Sequence, residues 1–106
     1  MRKGNYKPSK VQTKCECFIC HAPYTVGLEH HHLLHGTGQR RLADEDALWI
    51  WLCRKCHSDL HDHGTYDKEL QALGQRTFII EKMKEGYSDG QSRGMWFNRY
   101  GKFYDI

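Results

Sequence analysis

The feature that most constrains this chain is a pair of thiol clips: Cys17 and Cys20 form one C-x-x-C, and Cys53 and Cys56 form a second. Together they offer four soft sulfur donors, the set that tetrahedral zinc accepts at roughly 2.3 Å. The clips stand further apart than in a compact zinc ribbon, so the residues between them must leave the site and return to it. A β-hairpin makes such an excursion. Cys15 is a fifth thiol that could stand in for Cys17, although the two-residue gap to Cys20 favours Cys17. The alternatives are reduced, buried cysteines without metal, or a redox pair. No apolar segment or small-residue cleavage site follows the basic N-terminus, so the expected location is cytoplasmic, where thiols hold metal rather than form disulfides.

A chain of 106 residues suits one domain, and its thin core would gain from a structural metal. No apolar run approaches the roughly 20 residues of a membrane span, so no membrane partner is expected. The net charge is +3, yet residues 1–14 carry Arg2, Lys3, Lys7, Lys10 and Lys14 without an acid, which leaves −2 for the rest (3 minus 5). This segment, with Gly4, Pro8 and Ser9 and no apolar period, is expected to be a flexible basic arm able to follow a phosphate backbone. Residues 15–106 are then one domain, with a core at about 17–64 and a helical extension over 65–106.

Within the core, "VGLEHHHLLHG" suits a strand ending at Gly36, "GTGQRR" a loop, and "ALWIWLC" a second antiparallel strand ending at Cys53, with its two tryptophans anchoring the core. "HSDLHDHG" suits a short helix stopped by Gly64. Tyr66, Leu70, Leu73, Ile80 and Met83 mark the apolar stripe of a longer helix, against which Gly74 costs about 1 kcal/mol of propensity. An aromatic tail from Met95 to Tyr104 should fold back on the core. The fold class is therefore α+β: a ββα unit with a four-cysteine zinc site and a C-terminal helical extension.

Eight histidines cluster in the middle of the chain. His57 and His61 are four apart, so a helix beginning near Cys56 places both imidazoles on one face, at a distance that suits one metal ion. The strand "EHHHLLH" can add a third imidazole and a neighbouring general base, since imidazole titrates near physiological pH. Strict alternation sends His31 and His32 to opposite faces, so both can serve one phosphate only near the strand end or at a bulge, which Gly36 and Gly38 permit. A metal on His31, His57 and His61 could hold a scissile phosphate while His32 takes a proton from the attacking water. Three imidazoles are softer than an oxygen cage, which favours Mn²⁺, Ni²⁺, Co²⁺ or Zn²⁺ on chemistry and Mg²⁺ only on availability. Arg40 and Arg41 are placed to contact phosphates beside the site.

In this order, "EHHHLLHG", "LWIWLC" and "CRKCHSDLH" resemble the HNH endonuclease family of ββα-metal fold, especially its small phage-encoded members, from about Cys17 to Tyr104. The resemblance implies a metal-dependent DNA endonuclease. It also implies that His31 binds metal, that His32 is the general base, and that His57, directly after the second C-x-x-C, and His61 are ligands. The ending "NRYGKFYDI" is similar to that of small phage members, which implies phage or prophage origin and possible phage protein partners. The family's middle Asn is missing, because the only asparagines are Asn5 and Asn98; Asp44, Glu45 and Asp46 are the candidate substitutes. Two competing classes remain. One is a catalytically silent zinc module that binds DNA, and the other an interaction protein docking through Trp96, Phe97, Tyr100, Phe103 and Tyr104.

Overall fold

The computed structural model describes residues 7–104. Strand β1 (Leu28–His32) pairs antiparallel with β2 (Trp49–Cys53), in the register Leu28↔Cys53, His30↔Trp51 and His32↔Trp49. Helix α1 (Gln39–Glu45) lies between the strands, α2 (Arg54–His63) follows β2 directly, and α3 (Asp67–Lys84) and α4 (Asp89–Tyr100) complete the chain. The fold is α+β, a two-stranded hairpin packed on a helix with a C-terminal helical pair. No helix among the described residues is long and apolar enough to cross a membrane.

Strand parity divides the hairpin into two faces. Ile50 and Leu52, both fully buried, share one face with Glu29 and His31, and this face meets α2. Their burial, with that of Leu33, Leu34 and Leu48, contributes about 1.5–3 kcal/mol per side chain. The other face carries His30 and His32 opposite Trp51 and Trp49; His30 stacks on Trp49 with ring centroids 4.3 Å apart. Along this side run Lys7 to Gln12: Trp49 Nε1 donates to Lys7 O at 2.9 Å, Ser9 Oγ to Trp49 O at 2.6 Å, and the Trp51 amide to Gln12 Oε1 at 2.9 Å. Of the segment expected as a basic arm, residues 1–6, with Arg2 and Lys3, lie outside the described residues. Lys7 reaches Glu45 O at 2.7 Å and Lys10 lies 3.7 Å from Glu81.

Several expectations are corrected. The "GTGQRR" segment is a loop only to Gly38, because "QRRLADE" is composed of good helix formers apart from Asp44, buries Ala43, and closes an Arg41–Glu45 ion pair of 2.7 Å one turn apart. The first strand ends at His32 rather than Gly36, and Leu33 and Leu34 continue into the core as irregular chain. Of the two strand tryptophans, Trp49 is buried and Trp51 only partly covered, and the fully buried tryptophan is Trp96.

Helix α2 stops as expected at Gly64, whose left-handed φ of 68° lets its N–H reach Leu60 O at 2.8 Å. In α3 the buried line is Leu70, Gly74 and Phe78, flanked by Ala72, Gln75 and Ile79, whereas Tyr66, Ile80 and Met83 are exposed. Of the expected stripe, Leu70 is buried and Leu73 packs against the core partly buried, while the middle of the buried line is a glycine, which carries no apolar signal. A Cβ at Gly74 would stand 2.7 Å from Leu34 Cδ2 and 3.2 Å from Leu33 Cβ, so the missing side chain is what lets α3 approach the hairpin.

The aromatic tail is itself helical through Tyr100, started by a capping box in which the Gln91 amide donates to Ser88 Oγ and the Ser88 amide to Gln91 Oε1. Trp96 and Tyr100 fold back on the core and stack at 4.0 Å, while Phe97 and Phe103 stay exposed, stacked on each other at 5.4 Å.

Candidate metal centre and histidine site

The first thiol clip is a tight turn: the Cys17 amide donates to Ala22 O and the His21 amide to Cys17 O, both at 2.9 Å, with His21 in the left-handed region at φ 66°. The second spans a junction, with Cys53 ending β2 and Cys56 in the first turn of α2. The hairpin brings the clips together, and the sulfurs of Cys17, Cys20, Cys53 and Cys56 lie within 4.8 Å of one another. Cys20 Sγ and Cys53 Sγ are 3.8 Å apart, and zinc bonds of 2.3 Å in a tetrahedron imply sulfur pairs at about 3.8 Å. Cys15 is exposed and outside this group, while Cys17 is fully buried within it.

The charges fit a cation as well. Burial alone would raise the Cys17 thiol, but the amides of Cys20, Cys53 and Ile19 outweigh it and hold its pKa at about 6. Cys56 is pushed well above the usual thiol range, first by burial and then by hydrogen bonds from the neighbouring thiols. Four crowded sulfurs, one already inclined to ionise, form a tetrahedral-like arrangement suited to structural Zn²⁺.

The second cluster joins His31 of β1 to His57 and His61 of α2, with ligand nitrogens again within 4.8 Å of one another. His31 is 5% exposed and its Nε2 is buried without a hydrogen-bond partner, an arrangement expensive to leave unmatched. Burial above all, then the nearby imidazoles of His57 and His61, pushes its pKa down to about 3, so it presents a neutral lone pair. His57 donates from Nδ1 to Glu29 Oε1 at 2.7 Å, which leaves its Nε2 facing His61 Nε2 at 3.1 Å. A carboxylate behind a histidine in this way fixes tautomer and ring direction for a metal ligand. An orphaned buried nitrogen and two converging Nε2 atoms make the donor set fit a divalent cation.

His32 lies on the other strand face, as alternation requires. Its Nε2 is 2.9 Å from Asp44 Oδ1, which His30 Nε2 also approaches at 3.2 Å. The two faces nevertheless share a cavity of about 230 Å³, lined by His30, His31 and His32 together with His35, Arg40, His57 and His61. His32 is the last residue of β1, so the cavity wraps around the strand end and no bulge is needed.

Among the candidate substitutes for the missing Asn, only Asp44 meets a histidine. Asp46 accepts from Arg99 Nε and Tyr100 Oη, both at 2.6 Å, and Glu45 pairs with Arg41 and Arg99. Arg40 lines the cavity; Arg41 is committed to Glu45 and does not. Both lie on α1 rather than in a loop.

Three contributors escaped the sequence reading. Glu29 could have been found by parity, since it shares the face of His31, and His30 likewise shares the face of His32. His35, 3.0 Å from Asp67 Oδ1, had no local signal, because its partner arrives on α3. Compared with protein-family models, with curated proteins and with solved structures, the chain shows no match in any of the three.

Proposed function

We propose that the chain is a metal-dependent DNA endonuclease of the HNH type, hydrolysing phosphodiester bonds with His32 as general base. The observation that carries this reading is the convergence, around one strand end, of a three-imidazole cluster and an Asp44-braced histidine on a single cavity beside Arg40. A divalent ion on His31, His57 and His61, whether Mg²⁺, Mn²⁺, Ni²⁺, Co²⁺ or Zn²⁺, would supply positive charge to the scissile phosphate and its leaving oxygen. Asp44 accepts from His32 Nε2–H, which leaves Nδ1 with the lone pair that takes a proton from water. Glu29 holds His57 in the tautomer that presents Nε2. Arg40 offers a guanidinium fork to a neighbouring phosphate. Zinc on Cys17, Cys20, Cys53 and Cys56 ties the start of α2 to the N-terminal turn and so fixes the helical pair of histidines relative to β1.

The test is nicking and linearisation of supercoiled plasmid by wild type and His32→Ala, with EDTA, Mg²⁺, Mn²⁺, Ni²⁺ and Zn²⁺ in parallel. Metal-dependent cutting by wild type should fall by about 10²–10⁴-fold in the variant, the usual contribution of a positioned base. Equal cutting by the variant removes His32 from the role. No cutting by wild type in any metal, with DNA still bound, replaces the nuclease by a silent zinc module.

A further inference from the structure

Beside the three-imidazole cluster the fold builds a second convergent donor set, which the nuclease reading uses only in part. His30 and His32 are two apart on β1, so both rings leave the same strand face about 7 Å apart at the backbone. Asp44 arrives from α1 between them, and Nε2 of His30 and Nε2 of His32 point at its Oδ1 from 3.2 and 2.9 Å. All three ligand atoms lie within 4.8 Å of one another. The His30 ring is held in place by its stack on Trp49, at 27° between planes, and its side chain is 8% exposed. His32 and Asp44 are more open, at 22% and 44%, and His30 and His32 both line the cavity, so a cation has a way in. Two imidazoles and one carboxylate with open positions are a donor set for borderline divalent metals such as Ni²⁺, Co²⁺ or Zn²⁺.

We infer that His30, His32 and Asp44 form a second exchangeable divalent-metal site, and that filling it switches the nuclease off. The inhibition rests on the proposed role of His32; the binding site does not. In the state without this ion, His32 donates Nε2–H to Asp44 and keeps a lone pair on Nδ1. When Nε2 binds a cation, the ring proton moves to Nδ1, no proton is gained or lost overall, and the lone pair that accepts water's proton is gone. His30 undergoes the same tautomer change without consequence for the reaction. The first ion should therefore activate the enzyme and the second inhibit it, so activity against Ni²⁺ concentration rises and then falls.

The experiment titrates Ni²⁺ into the zinc-loaded full chain by calorimetry and follows plasmid cleavage over the same concentrations, for wild type, His30→Gln and Asp44→Asn. Wild type should bind two Ni²⁺ per chain beyond zinc, and each variant one. Cleavage by wild type should fall roughly a hundredfold from its maximum at high Ni²⁺, the low end of what a positioned base contributes. Measured against its own maximum at low Ni²⁺, His30→Gln should keep cutting at high Ni²⁺. One exchangeable ion in wild type overturns the site whatever the variants do, and so does a second ion that survives in both variants. Two ions in wild type and one in each variant establish the site even if the protein cuts no DNA, an outcome that would overturn the inhibition. Inhibition of equal depth in wild type and His30→Gln overturns it as well.

Discussion

Asp44, Glu45 and Asp46 are consecutive acids with separate tasks. Asp46 is held by Arg99 and Tyr100 and Glu45 by two arginines, while Asp44 alone turns toward the histidines. The end of α1 and its C-cap residue thus anchor α4 with two acids and brace His32 with the third. Glu29 plays a comparable part behind His57, and its 2.7 Å contact gives a direct prediction. Glu29→Gln should keep the fold but weaken the ion on His31, His57 and His61 by about 10–100-fold, the usual cost of losing a carboxylate behind a metal-bound histidine. Calorimetric titration reads this without reference to cleavage. An unchanged affinity would mean that His57 is oriented by α2 alone.

At the scale of elements, the approach of α3 to the hairpin depends on Gly74. In a solvent-exposed helix, Gly→Ala gains about 1 kcal/mol. Here the added Cβ would meet Leu34 Cδ2 at 2.7 Å and Leu33 Cβ at 3.2 Å. The leucine tip can swing away, but Leu33 Cβ is fixed to a fully buried stretch of main chain. Gly74→Ala should therefore destabilise by about 1–3 kcal/mol, the range for overpacking, and denaturant unfolding will show it. A higher midpoint would mean that the propensity gain wins and α3 shifts outward. The two leucines follow His32 directly, so a displaced α3 also disturbs the strand end around which the cavity forms. Substituting Gly74 should on that account lower cleavage more than the same loss of stability elsewhere.

For the molecule as a whole, the four-cysteine cluster joins segments that the hairpin alone would hold weakly, since an isolated two-stranded ribbon is marginal in water. Zinc in such a site contributes about 10–16 kcal/mol of apparent binding free energy, comparable to the whole stability of a domain at about 5–15 kcal/mol. Cys53→Ser, or extraction of zinc by a strong chelator, should therefore abolish the cooperative thermal transition seen by circular dichroism. Cys15→Ser should leave it in place, because Cys15 is exposed and outside the cluster. Wild-type melting in Cys53→Ser would argue against metal at this site.

How much was legible in the sequence differs by residue, for physical reasons. The thiol clips, the i,i+4 pair His57 and His61, and the two strands follow from local spacing and periodicity, because ligand geometry and helix and strand repeats are written over a few consecutive residues. The buried line of α3 was legible only in part, because its central position is Gly74, whose purpose is visible only in what lies against it. The opposition of His31 and His32 was also legible from alternation, and so was the condition for a shared cleft, a strand end or a bulge; which of the two applies was not, since it depends on where β1 ends and how α2 crosses it. Asp44 could be named with two neighbours but not chosen, because the choice follows from Arg99 and Tyr100 arriving on α4 to occupy the other two. By itself, then, the sequence determined which donors exist and which are neighbours along the chain. Only the tertiary structure decided which donors converge, because convergence across β1, α1 and α2 is set by packing between segments that share no local signal.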